Sequence, residues 1–157
     1  MDKIKWCLRQ QKGLSSIEPN LNMPKSYLNM AEESIRALEN LNESQIWTAA
    51  TTYYIFYYSL YAIMLRIGFK CEIHSCSIEF MHRYLRMYNK TDIDMIQQAF
   101  TNRNDLQYYT DRPVDINSID TCKTYCKEFF LKSKEILIKI KDADINHIRM
   151  MVRADSK

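Results

Sequence analysis

The chain has 157 residues, a formal net charge of +3, 46% hydrophobic residues, and only two glycines and three prolines. That length accommodates one domain with a substantial core, and so few turn-formers exclude a sandwich or barrel in favour of an all-α protein. The mild basic excess permits contact with RNA and falls short of the charge of a dedicated nucleic-acid binder.

Residues 2–12 spell a short amphipathic helix, with Ile4, Trp6, Cys7 and Leu8 among lysines and arginine, and Gly13 stops it. The opening MDKIKWCLRQQKG turns charged before an apolar run develops, so no secretion signal is read and a cytoplasmic location is expected. Five cysteines, an odd number, then fit free thiols in a reducing compartment. After a connector with Pro19 and Asn20, a second helix begins near Pro24, with Tyr27, Leu28, Ala31, Ile35 and Leu38 as its buried stripe.

The stretch Ser44 to Leu65, SQIWTAATTYYIFYYSLYAIML, organises the chain. It holds no charge, no Gly and no Pro, and Ile46, Ala50, Tyr53, Tyr54, Tyr57, Tyr61, Met64 and Leu65 fall on one side of a helix. Thr48, Thr51, Thr52, Tyr58 and Ser59 occupy the other side. About 20 apolar residues also suffice to span a bilayer, but five tyrosine and three threonine hydroxyls would go unsatisfied in lipid. A protein core can satisfy them. The segment is read as a central core helix that starts after Asn42-Glu43-Ser44 and ends at Gly68, and no membrane contact is expected.

A fourth helix follows from Ser75 to Tyr88, with Ile78, Met81, Leu85 and Tyr88 inward. A fifth is capped by Thr91 and buries Ile93, Ile96, Ala99, Phe100 and Leu106. The last long helix starts at Asn117 or Ser118 and carries Ile119, Cys122, Cys126, Phe129 and Phe130. The final stretch, DADINHIRMMVRADSK, has weak periodicity and fits either a short helix or a disordered tail. The expected architecture is an up-and-down bundle of five to six helices: an N-terminal helix and connector over 1–22, the bundle over 23–141, and a tail over 142–157.

Within the fifth helix, Arg103 lies on the core-facing stripe, three residues from Phe100 and Leu106. A charge there needs a partner: either a carboxylate on another helix or a phosphate that the guanidinium is placed to hold. Asn104, Asp105, Gln107 and Tyr108 make its neighbourhood polar. His74, just before the fourth helix, either caps that helix or approaches Arg103 across the bundle. Cys71, His74 and Cys76, with Cys122 and Cys126, raise a soft-ligand metal site, but their spacing matches no zinc knuckle and no metal or cofactor is assigned. Scattered lysines and arginines read as solvated faces, with Arg83 and Arg86 as the candidate RNA-contacting edge.

The segments KSYLNMAEESIRAL, TYYIFYYSLYAIML, IHSC and RNDLQYYTDR give the chain, over roughly residues 23–140, a resemblance to the HEPN-domain family. It is most similar to the small stand-alone members encoded beside a minimal nucleotidyltransferase. The resemblance implies a homodimeric bundle, and a toxin-like RNase whose antitoxin partner is the nucleotidyltransferase. It places Arg103 and Asn104 in the first two positions of the family's arginine–polar–histidine motif and Tyr108 in the histidine slot. Arg103, Asn104 and Tyr108 are thus the catalytic candidates, with Asp105, Tyr109, His74 and Arg83 as binding candidates. An unperturbed tyrosine titrates near 10 and is a poor general base at neutral pH. The alternative is therefore a non-catalytic module that binds nucleotide or RNA. The resemblance also implies AMP transfer onto a tyrosine beside the motif, for which Tyr108 and Tyr109 are candidates by position.

Overall fold

In the computed structural model, which describes residues 2–41 and 43–156, the chain is 75% helical with seven helices and one small two-stranded sheet. It is an all-α bundle. In chain order the elements are α1 (Lys3–Arg9), β1 (Ser15–Ser16), α2 (Asn22–Leu38), α3 (Gln45–Ile67), β2 (Phe69–Lys70), α4 (His74–Tyr84), α5 (Lys90–Tyr108), α6 (Ile116–Lys139) and α7 (Asp142–Asp155).

Helix α3 is the axis, packed against α2, α4, α5, α6 and α7. Ser44 caps its start by accepting from the Trp47 N–H, and Gly68 ends it at φ +93°, a left-handed conformation that favours glycine. Asn42, expected in the break before α3, lies outside the described residues. The supposed polar side of α3 is buried as well: Thr48, Thr52 and Ser59 are enclosed. The Thr48 hydroxyl donates to the Leu41 carbonyl and the Ser59 hydroxyl to the Ile55 carbonyl. Ile46, expected in the buried stripe, is instead exposed with Trp47 in the first turn.

Several boundaries differ from the sequence expectation, each for a local reason. Asn89, not Thr91, caps α5, because Asn89 and Asp92 exchange side-chain and backbone bonds in a capping box. Asp92 is fully buried there and also accepts from the Tyr125 hydroxyl and Lys132, so one carboxylate fixes α5 to α6. Asp115 caps α6 by accepting from the Ser118 N–H. Helix α4 stops at Tyr84, although Leu85 and Tyr88 are still buried as expected.

The two ends of the chain belong to the same core as the bundle. Ile4, Cys7 and Leu14 at one end, and Ile145, Ile148 and Val152 at the other, join the central cluster across the boundaries drawn at 22 and 141. The C-terminal stretch is a helix whose Arg149 reaches back to the end of α3. Its Nη1 donates to the carbonyls of Ile17, Ile67 and Gly68, each at 3.0 Å. A cation at a helix C-terminus satisfies carbonyls that have no partner within the helix.

The expectation of five free thiols is corrected. Cys7 and Cys76 form a disulfide that joins α1 to α4, and Cys71, Cys122 and Cys126 remain free and buried. An odd cysteine count accommodates one bond and three thiols, so parity did not decide the matter. The bond spans 69 residues of sequence, and cross-links of long loops typically contribute about 2–4 kcal/mol by restricting the unfolded chain. Cys7→Ser is expected to lower unfolding free energy by about that amount in urea, and reductant to do the same to the wild type. Unchanged midpoints in both cases would contradict this role.

Candidate functional site

Four tyrosines of α3 turn their hydroxyls toward α5 and the loop that enters α4. Tyr61 accepts from the Cys71 N–H at 3.2 Å, and Tyr57 donates to the Cys71 carbonyl at 3.5 Å. Tyr53 shares a hydrogen bond of 2.7 Å with His74 Nδ1, and Tyr54 accepts from Arg103 Nη2 at 3.3 Å. Burying a tyrosine ring demands a partner for its tip, and here those partners are the backbone of Cys71 and the side chains of His74 and Arg103.

His74 opens α4 without capping it, since no side-chain cap bond is made at Ile73. Its imidazole instead lies flat on Tyr57, with centroids 4.0 Å apart and planes within 3°. Burial, and then the positive charge of Arg103, hold its pKa down from 6.5 to about 4. His74 is therefore neutral at pH 7. Tyr53, enclosed completely, is pushed well above its usual value by desolvation and stays protonated.

Arg103 stands over the same aromatic group. Its Cζ lies 5.2 Å from the Tyr53 ring, 5.6 Å from Tyr54 and 5.5 Å from Tyr108. Asn104 Oδ1 accepts from Nη1 at 2.6 Å and orients the guanidinium. Nε is buried with no hydrogen-bond partner, and among the described residues no carboxylate forms an ion pair with Arg103. Each cation–π contact contributes about 0.5–2 kcal/mol, whereas a buried charge deprived of a counter-ion costs on the order of several kcal/mol. The rings offset part of that cost for a half-buried guanidinium and leave it short of an anion.

The structure therefore brings together Arg103, Asn104, Tyr108 and His74 from the sequence-based candidates. Tyr53 and Tyr54 join them, residues that periodicity alone assigned to the core. Their signal was the clustering of hydroxyls on an otherwise apolar helix. Asp105 and Tyr109 are engaged next door: Asp105 pairs with Arg112, whose guanidinium lies 3.8 Å from the Tyr109 ring centre. Arg83 serves another purpose. It is forked on Asp155 at 3.1 and 3.2 Å and paired with Asp2 at 2.9 Å, joining α4 to both ends of the chain. Of the cysteines weighed with His74 as metal ligands, Cys76 is in the disulfide and Cys71 donates to the Ile73 carbonyl. Among the described residues no group of three or more His, Cys, Asp or Glu is arranged to hold a metal ion. No helix among them is long and apolar enough to cross a membrane.

Compared with known proteins, the chain matches no family model, no curated protein and no solved structure.

The environment of His74 fixes a pH dependence. The unfolded imidazole titrates near 6.5 and the folded one near 4, so between these values the unfolded chain binds more protons and stability rises with pH. Stability is thus expected to fall as pH drops from 6.5 toward 4, and His74→Gln to remove that component. NMR titration should place His74 near pH 4 in the wild type and higher in Arg103→Gln, where one of the two depressing causes is gone. Titration of His74 near 6.5 in both proteins would contradict the arrangement.

Proposed function

We propose that the chain is a HEPN-type, toxin-like RNase subunit that acts without a metal ion, with Arg103 holding the scissile phosphate of RNA and His74 moving the proton. The observation that carries this reading is the guanidinium of Arg103, set among aromatic rings with no carboxylate partner. An arginine so placed suits a phosphate, which its planar donors match in shape and charge.

The chemistry needs one group that accepts a proton from the ribose 2′-hydroxyl. The 2′-oxygen then forms a bond to phosphorus as the bond to the 5′-oxygen breaks, and that oxygen takes a proton from water, leaving a 2′,3′-cyclic phosphate and a 5′-hydroxyl. His74 is neutral at pH 7, as a base must be. When its Nδ1 carries the hydrogen shared with Tyr53, Nε2 presents a lone pair. A phosphate on Arg103 also offsets the second of the two causes that depress His74, the first being burial, so substrate binding strengthens the base. Asn104 orients the guanidinium, and the exposed Tyr108, standing in the motif's histidine slot, has its ring centre 5.5 Å from the guanidinium carbon. The same reading includes a homodimer, with two Arg103 residues facing one cleft, and a nucleotidyltransferase antitoxin as partner.

A second reading is favoured by a specific observation: a histidine held near pH 4 is a weak base. In that case the site binds RNA or a nucleotide without cleaving it. An RNA-cleavage assay with chelator present separates the two. The RNase reading predicts cleavage by the wild type, and a loss of about 100-fold or more in both Arg103→Ala and His74→Gln, the usual scale for removing an acid–base or charge-stabilising group. RNA binding lost in Arg103→Ala, with no cleavage by the folded wild type, would establish the binding module. Neither binding nor cleavage by the wild type would overturn both.

A further inference from the structure

A cleft lies far along the chain from Arg103, where α7 folds back beside the C-terminal half of α6 and the α4–α5 connector. It has a volume of about 640 Å³, within the range of small-ligand sites. Its floor is apolar: Met87, Ile136, Ile140, Ile148 and Met151 line it, and of these Ile148 is buried and the other four are half-buried. Two methionines among the five give a wall that adapts to the shape of an apolar chain.

Charge on the rim decides what fits. Lys132 and Lys139 line the cleft, but Lys132 is neutralised by Asp92 and Lys139 by Glu135. Asp144 is taken up in capping α7, where it accepts from the Lys141 N–H. Arg86 and His147 remain, and among the described residues neither has a carboxylate in ion-pair range. The cleft thus combines a floor left partly wet with one uncommitted guanidinium at its edge. Water suits the first poorly, and an anion suits the second.

We infer that this cleft binds a free amphiphile with one apolar chain and one carboxylate head, the chain on Met87, Ile136, Ile140, Ile148 and Met151 and the carboxylate on Arg86. A lone small anion gains nothing from the floor, and a neutral chain gains nothing from Arg86, so a ligand that carries both parts binds more tightly than either control.

Calorimetric titration of the full chain with decanoate, below the concentration at which it forms micelles, tests the site. Decanol and butyrate serve as the neutral and chainless controls. The expected result is saturable one-to-one binding of decanoate and none of butyrate. Arg86→Gln should weaken decanoate about tenfold, the worth of one charged hydrogen bond, and leave decanol unchanged. Arg86 is exposed, so this substitution should not disturb the fold. A second variant, Ile136→Trp, fills the cleft and should abolish both ligands while the far-ultraviolet circular dichroism stays helical. Decanoate that binds Arg86→Gln as tightly as wild type, or fails to saturate the wild type, would overturn the inference.

Discussion

Helix α3 has to be buried on nearly every side, and its tyrosines and threonines carry hydroxyls that burial would strand. The fold satisfies most of them with groups that do further work. The Tyr57 and Tyr61 tips pin the backbone at Cys71, which sets the path of the loop into α4. The Tyr53 and Tyr54 tips hold His74 and Arg103, which arrive from two different helices. The need to pair buried hydroxyls, worth about 1–3 kcal/mol each when left unmade, thereby assembles a polar cluster inside an apolar bundle. Thr52 is the exception, buried without a partner.

That cluster is unusual in its charge. Asp92 on the same helix as Arg103 receives a cation, a hydroxyl and a backbone N–H, and Arg83 and Arg112 receive carboxylates. Arg103 receives an amide, a hydroxyl and the faces of three rings. Among the other half-buried cations Arg66 and Lys132 are paired with Asp142 and Asp92, whereas Arg103 faces aromatic surfaces. In the reading proposed above, such a guanidinium suits a phosphate and the neutral imidazole beside it is the group that would move a proton.

The central helix, its Ser44 start and its Gly68 stop were legible because a long uncharged stretch between a capping residue and a glycine admits one reading. Arg103 also stood out, because a charge on an apolar stripe conflicts with its register. The cap of α5 was less so: Asn89 and Thr91 both cap well, and only the reciprocal bond from Asp92 selects Asn89. The Cys7–Cys76 bond depends on two helices meeting far apart in sequence, which no local pattern encodes. Helix α7 looked weak because its stability comes from three buried side chains and from Arg149 reaching the end of α3, not from its own periodicity. The partnership of Tyr53 with His74 was hidden for the same reason, since spacing reports which face a ring occupies and nothing about what its hydroxyl meets.

The most direct test of the central claim, that Arg103 is an anion site, is its own Nε–H resonance followed by NMR during titration with a short single-stranded RNA. The account predicts that this resonance and those of the His74 ring shift together and saturably, with His74 titrating at higher pH once RNA is bound. An Arg103 Nε–H that does not move while RNA binds elsewhere, with His74 still titrating near pH 4, would contradict it.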